Sequence, residues 1–168
     1  PYGDALTVEN DYITYVGLRD GNTASVVKWD DGEIDWQLNI PLTNEAFIQD
    51  MEVRDYLMVL VNDNDYDSSG KNSWTLLQVN KVDGSIYWQK TLQSYGVNPT
   101  NHKAMGMALN SSNQTMVVGN CDDMENTQVS VTIFGSDGTL LFSKILYNEF
   151  DPSYELRSAD AAVDSSGN

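Results

Sequence analysis

The sequence predicts an all-β fold assembled as β-propeller blades, each of four antiparallel strands, with about three blades and the start of a fourth. Three features of the chain lead to this. A hairpin motif centred on Asp-Gly occurs three times at nearly constant spacing, with Gly32, Gly84 and Gly138 separated by 52 and 54 residues. Apolar residues alternate with polar ones beyond each glycine, which places them on one face of a strand. The intervals between copies are filled by further short apolar stretches and turns, and none has room for a helix long enough to bury a face.

The motif reads Asp31-Gly32-Glu33-Ile34-Asp35-Trp36, then Asp83-Gly84-Ser85-Ile86-Tyr87-Trp88, then Asp137-Gly138-Thr139-Leu140-Leu141-Phe142. Counting from the glycine, apolar side chains recur at the second, fourth and eighth positions: Ile34, Trp36 and Ile40, then Ile86, Trp88 and Leu92, then Leu140, Phe142 and Leu146. Five positions before the glycine stand Val27, Val79 and Ile133, each inside another apolar run. Two strands joined at Asp-Gly form a hairpin, because glycine accepts the positive φ of a tight turn and aspartate tolerates it better than most. Trp36, Trp88 and Phe142 repeat once per unit, so they are assigned to blade-core packing rather than to one ligand pocket. Gly32, Gly84 and Gly138 are the matching turn residues.

The first half of each unit reads the same way. Residues 5–8, 47–53 and 105–109 form short strands, and each leads through a polar turn into a more apolar strand at 12–18, 56–61 and 115–118. With the hairpin, that makes four strands per unit. Ala162-Val163-Asp164-Ser165-Ser166 matches Ala108-Leu109-Asn110-Ser111-Ser112 at an offset of 54, so a fourth unit begins. The expected division is one propeller domain over 1–168, with blades at about 4–41, 46–93 and 103–147 and residues 158–168 as the first strand of the next. Three blades and one strand do not close a ring of roughly 4–8 blades. The expectation is therefore that remaining blades of the same chain, or other protein chains including copies of this one, complete it.

The Asp-Gly-x-Ile-x-Trp-x-x-x-Leu segments resemble the repeats of quinoprotein-like (PQQ-like) propellers, in which a Trp four residues after the turn Gly packs between blades. Ala161-Ala-Val-Asp-Ser-Ser-Gly-Asn168 resembles the opening of the SBBP-type propeller repeat of surface and secreted proteins. The quinoprotein pattern carries Thr-Gly where this chain has Asp-Gly, and a Gly soon after the Trp. Here Trp36 is followed by Ile40-Pro41 and Trp88 by Leu92-Gln93.

Charge narrows the function classes. Against 25 acidic residues there are 9 Lys and Arg, for a net charge of −16. That field repels nucleic acid and anionic lipid, and no basic cluster offsets it. No apolar run approaches the length of a membrane span. The chain opens at Pro1 with no basic or apolar leader pattern. An apolar fraction of 40% with 4 Trp, 9 Tyr and 4 Phe can fill a core, which argues against intrinsic disorder.

Several residues are candidates for chemistry. Asp63, Asp65 and Asp67 alternate in an Asn/Asp-rich loop closed by Gly70, a spacing that could present carboxylates to Ca²⁺, although the full EF-hand pattern is absent. The competing reading is a solvated turn. Asn110 and Asn113 head two sequons, Asn-Ser-Ser and Asn-Gln-Thr, on a hairpin tip, where either could carry a glycan in a secreted eukaryotic chain. Cys121 is the one cysteine and His102 the one histidine, too few for an intrachain disulfide, a usual zinc site or a patterned Ser-His-Asp machine. Adjacent acids such as Asp30-Asp31 and Asp122-Asp123 point to opposite faces of a strand and read as turn residues rather than a glycosidase pair. No catalytic or cofactor-binding residue is assigned. The expected function is a non-enzymatic, extracellular or cell-surface module for protein–protein assembly or adhesion. The alternative is part of a quinoprotein-type propeller enzyme with its active site in other blades.

Overall fold

In the computed structural model the described residues are 2–20, 23–40, 46–63, 72–92, 101–122, 127–146, 158 and 160–164. They form twelve strands and, among the described residues, no helix. The first sheet holds β1 (Tyr2–Val8), β2 (Ile13–Asp20), β3 (Thr23–Asp30) and β4 (Glu33–Ile40). The second holds β5 (Ala46–Val53), β6 (Leu57–Asp63), β7 (Ser73–Val79) and β8 (Ile86–Leu92), and the third β9 (Asn101–Leu109), β10 (Thr115–Asp122), β11 (Thr127–Phe134) and β12 (Leu140–Leu146). Each sheet is a meander of sequential antiparallel neighbours. Three such sheets side by side are the all-β blade architecture that the repeat predicts.

The hairpin glycines take the conformation expected of them. Gly32, Gly84 and Gly138 have φ of 87°, 73° and 78°. The turns nevertheless differ in length. Asp31 also has a positive φ, 46°, so the first hairpin closes in two residues as a type I′ turn. In the second and third blades Asp83 and Asp137 instead accept the backbone N–H two residues on, from Ser85 and Thr139, at 3.0 and 2.9 Å. This difference shows in the strand register. Val27 pairs with Gln37, Val79 with Ile86 and Ile133 with Phe142, so the position five before the glycine is not one ladder position. Turn length shifts the register upstream of the glycine while leaving the strand after it in phase.

The blades stack with the second in the middle. Leu57, Val59 and Val61 pack towards the first sheet, with Tyr15, Val26 and Ile40. Met58 and Leu60, one residue out of phase, join Trp74, Leu76, Met107, Val117 and Phe134 towards the third. Every residue of β6 and β7 is consequently buried, which explains the unbroken apolar run Leu57-Met-Val-Leu-Val61 where an outer sheet would alternate. On the open side of the third blade nearly every residue of β12 is exposed.

Two irregularities recur in every blade. On the first strand, pairing skips Asp4, Gln49 and Met105 in turn. Between the third and fourth strands it skips Asp35, Tyr87 and Leu141. Each is a β-bulge, which re-aims side chains and strengthens local twist.

Candidate functional site

The second bulge positions the repeated aromatics. Trp36 and Trp88 directly follow it, and each leaves its own blade to meet the hairpin turn of the next. The Trp36 Nε1 donates to the Lys81 carbonyl at 3.0 Å, and Trp88 Nε1 to that of Ser136 at 3.1 Å. Each indole lies close against the turn glycine: a Cβ at Gly84 would come 2.8 Å from Trp36 Cε3, and one at Gly138 2.8 Å from Trp88 Cδ2. These glycines are required twice, for positive φ and for the close approach of a ring. Behind the indoles, Tyr15 tilts against Trp36 at 6.0 Å and Phe134 against Trp88 at 6.4 Å. Aromatic contacts of this kind add to area burial.

At the same end of the sheets, polar groups clamp the first seam. Glu9, on the turn after β1, accepts from the Tyr15 hydroxyl at 2.8 Å and from the Lys81 ammonium, which also donates to the Arg54 carbonyl. Burial raises the Glu9 carboxyl, but the bonds from Lys81 and Tyr15 with the charges of Lys81 and Lys28 outweigh it and hold the group below its ordinary range. Burial first, and then Glu9, push the Tyr15 hydroxyl well above its ordinary value.

Along the first strands the seam is made by carboxylates. β5 lies between β1 and β9, and one N–H of β5 and two of β9 donate to acids of the preceding blade. Asp4 accepts from Ile48 N at 3.3 Å; Asp50 and Glu52 accept from Met107 N and Leu109 N at 2.9 and 3.1 Å. Gln49, the bulged residue, donates to the Met105 carbonyl at 3.1 Å. Capping edge donors in this way removes a liability of an open sheet edge. Burial pushes the Asp50 carboxyl up against the two N–H bonds it accepts, and the Asp160 charge adds to the rise. Glu52 is raised in the same way, by burial before the charges of Asp50 and Asp160.

The repeat positions Gly32, Trp36, Gly84, Trp88, Gly138 and Phe142 therefore divide. Four of them make the two seams. Gly32 has no atom within 4 Å of where a Cβ would stand, and Phe142 is 46% exposed, with no described blade against it. Trp36 and Trp88 are half-buried at seams rather than central in a core.

Other sequence candidates are placed individually. Asp63 ends β6 and is buried, while Asp65 and Asp67 lie outside the described residues. Among the described residues no cluster of three acids, cysteines or histidines is arranged to hold a metal. The two sequon asparagines sit on the turn between β9 and β10 with their amides engaged. Asn110 Nδ2 donates to Gln114 at 2.7 Å, and Asn113, at a φ of 56°, donates across the seam to Asp55 at 2.7 Å. At the opposite strand ends, β9 and β10 bring the lone histidine and lone cysteine together: Cys121 Sγ is 3.6 Å from His102 Nε2, both buried. Their separation of 19 residues hides the pairing, which a four-stranded register makes inevitable. The carboxylate ladder has one signal in the sequence: Asp50-x-Glu52 on a first strand places two acids on one face.

No protein-family model matches the chain, and no curated protein matches it. Among solved structures it is similar to a subtype N10 neuraminidase-like protein of A/little yellow-shouldered bat/Guatemala/060/2010, at 13% identity and a TM-score of 0.52. The match covers 80% of this chain and 40% of that one, so the chain spans less than half its length. A likeness at this identity shows a propeller-like fold and nothing of activity.

Proposed function

We propose that the chain is a non-enzymatic structural or recognition module, working outside the cell or at its surface, that binds other protein chains. The observation that carries this reading is the character of the outer strands. β4, β8 and β12 end their sheets, and Ile34, Tyr87 and Leu141 stand out from them at 57%, 55% and 52% exposure. An outer strand with unpaired backbone groups and projecting apolar side chains is suited to strand addition by another chain. The resemblance of residues 161–168 to the SBBP-type repeat supports a surface or secreted setting, and the charge of −16 supports solubility there. No described helix is long and apolar enough to cross a membrane.

The test is a photo-cross-linking residue in place of Tyr87 or Leu141, in the chain expressed in its native organism. The expected result is covalent adducts to other proteins in the extracellular or surface fraction. Recovery of the chain inside the cell without adducts at either site refutes the proposal.

A further inference from the structure

We propose that Asp31-Gly32, the turn between β3 and β4, is a site of spontaneous isoaspartate formation, and that the equivalent turns of the second and third blades are protected from it. The chemistry belongs to the Asp-Gly pair itself. The glycine amide nitrogen attacks Cγ of the neutral aspartic acid, a C–N bond forms, and the carboxyl hydroxyl and the amide proton leave together as water. Water then opens the five-membered imide. Addition at the side-chain carbonyl restores aspartate; addition at the main-chain carbonyl leaves isoaspartate, with the chain rerouted through Cβ and Cγ and the mass unchanged. Ring closure needs a side chain free to turn, an amide free to react and backbone rotation, which a glycine without Cβ permits.

All three repeat turns carry the pair, and the structure holds them differently. Asp83 accepts from Ser85 N at 3.0 Å and from Ser85 Oγ at 2.6 Å, and Asp137 from Thr139 N at 2.9 Å. The nucleophiles are held too: Gly84 N donates to the Asn80 carbonyl and Gly138 N to that of Gly135, both at 2.9 Å. Trp36 and Trp88 lie against these glycines, and both glycines are buried. The bonds from Ser85 and from Thr139 also keep the two carboxyls below their ordinary range, which depletes the neutral acid that reacts. The first turn has none of this. Among the described residues the Asp31 carboxylate and the Gly32 N–H have no hydrogen-bond partner, both residues are exposed, and nothing lies within 4 Å of a Cβ position on Gly32. The two-residue loop is the cause, because the residue two beyond Asp31 is Glu33, which the ladder already pairs with Asp30. Isoaspartate adds a methylene to a loop whose length sets the register, so the Asp30–Glu33 and Trp29–Ile34 pairs at the tip of β4 are expected to part.

The test is ageing of the 168-residue chain, folded and in urea, at neutral pH and physiological temperature, followed by tryptic mapping with fragmentation that distinguishes isoaspartyl bonds. Cleavage at lysine and arginine puts Asp31, Asp83 and Asp137 in separate peptides, and parts Asp31 from a further Asp-Gly pair, Asp20-Gly21, whose glycine lies outside the described residues. In the folded chain isoaspartate at Asp31 is expected to exceed that at Asp83 and at Asp137 roughly fivefold or more, the factor one net hydrogen bond carries, and in urea the three rates converge. Asp31→Asn and Asp83→Asn repeat the comparison through the same imide with ammonia as the leaving group, and the first is expected to deamidate faster by the same factor. Absence of isoaspartate at Asp31 in the folded chain, or equal accumulation at the three turns, overturns the proposal. So does an Asp31 rate that rises in urea as much as those of Asp83 and Asp137, which would place the protection in the fold as a whole and not in the two locked turns.

Discussion

Trp88→Ala probes the seam most directly. The indole is half-buried, so of the 150–250 Å² a Trp carries, about 100 Å² leaves water on docking; at about 25 cal/mol per Å² that is about 2.5 kcal/mol. Its N–H bond to Ser136 adds about 1 kcal/mol. The Ser136 carbonyl is not orphaned by the change, because Gln78 Nε2 also donates to it at 3.1 Å. The expected loss is therefore about 3.5 kcal/mol, below that of a fully enclosed Trp. Trp88→Phe keeps most of the area and loses the N–H, for about 1 kcal/mol. Urea unfolding followed by circular dichroism separates the two, with Phe142→Ala as the exposed control expected to cost under about 1 kcal/mol. A Trp88→Ala loss no larger than that of Phe142→Ala would falsify the seam assignment.

Gly138→Ala strains a φ of 78° and drives a methyl into the Trp88 ring; it should destabilise by at least about 1–2 kcal/mol, whereas Gly32→Ala, strained but open, should cost less, as thermal melts would show. Gly106→Ala should expel residues 160–164 from β9 while leaving the twelve strands intact, seen as faster hydrogen exchange confined to the Ser158–Asn120 contact. Asp50 and Glu52 titrate above their ordinary range, so the folded chain holds more protons than the unfolded one just above that range. Their contribution to stability is full below the unfolded pKa and is lost as pH rises through the raised values. Asp160→Asn removes one cause of the rise and should flatten this slope, measured as Tm across the mildly acidic range. Glu9 has the opposite sign: its contribution is present above the ordinary carboxylate range and lost as pH falls through its lowered value. Glu9→Gln should abolish that acid-side loss.

The repeat alone determined the all-β class, the four-strand unit and the positive-φ glycines, because strand alternation and turn stereochemistry are local and each recurs three times. It also marked Trp36 and Trp88 as a once-per-blade device. What the device does was decided only in three dimensions. Whether an aromatic at that position is covered depends on a turn about fifty residues away, so Trp88 meets Gly138 while Phe142, with the same spacing, stays exposed. The ladder of Asp4, Asp50 and Glu52 was likewise hidden, since its partners are backbone N–H groups that carry no signature in sequence. Cys121 and His102 became neighbours through strand register alone. Local stereochemistry is written residue by residue; contact between blades is set by how twisted sheets stack, and the side chains at a seam acquire their roles from that stacking.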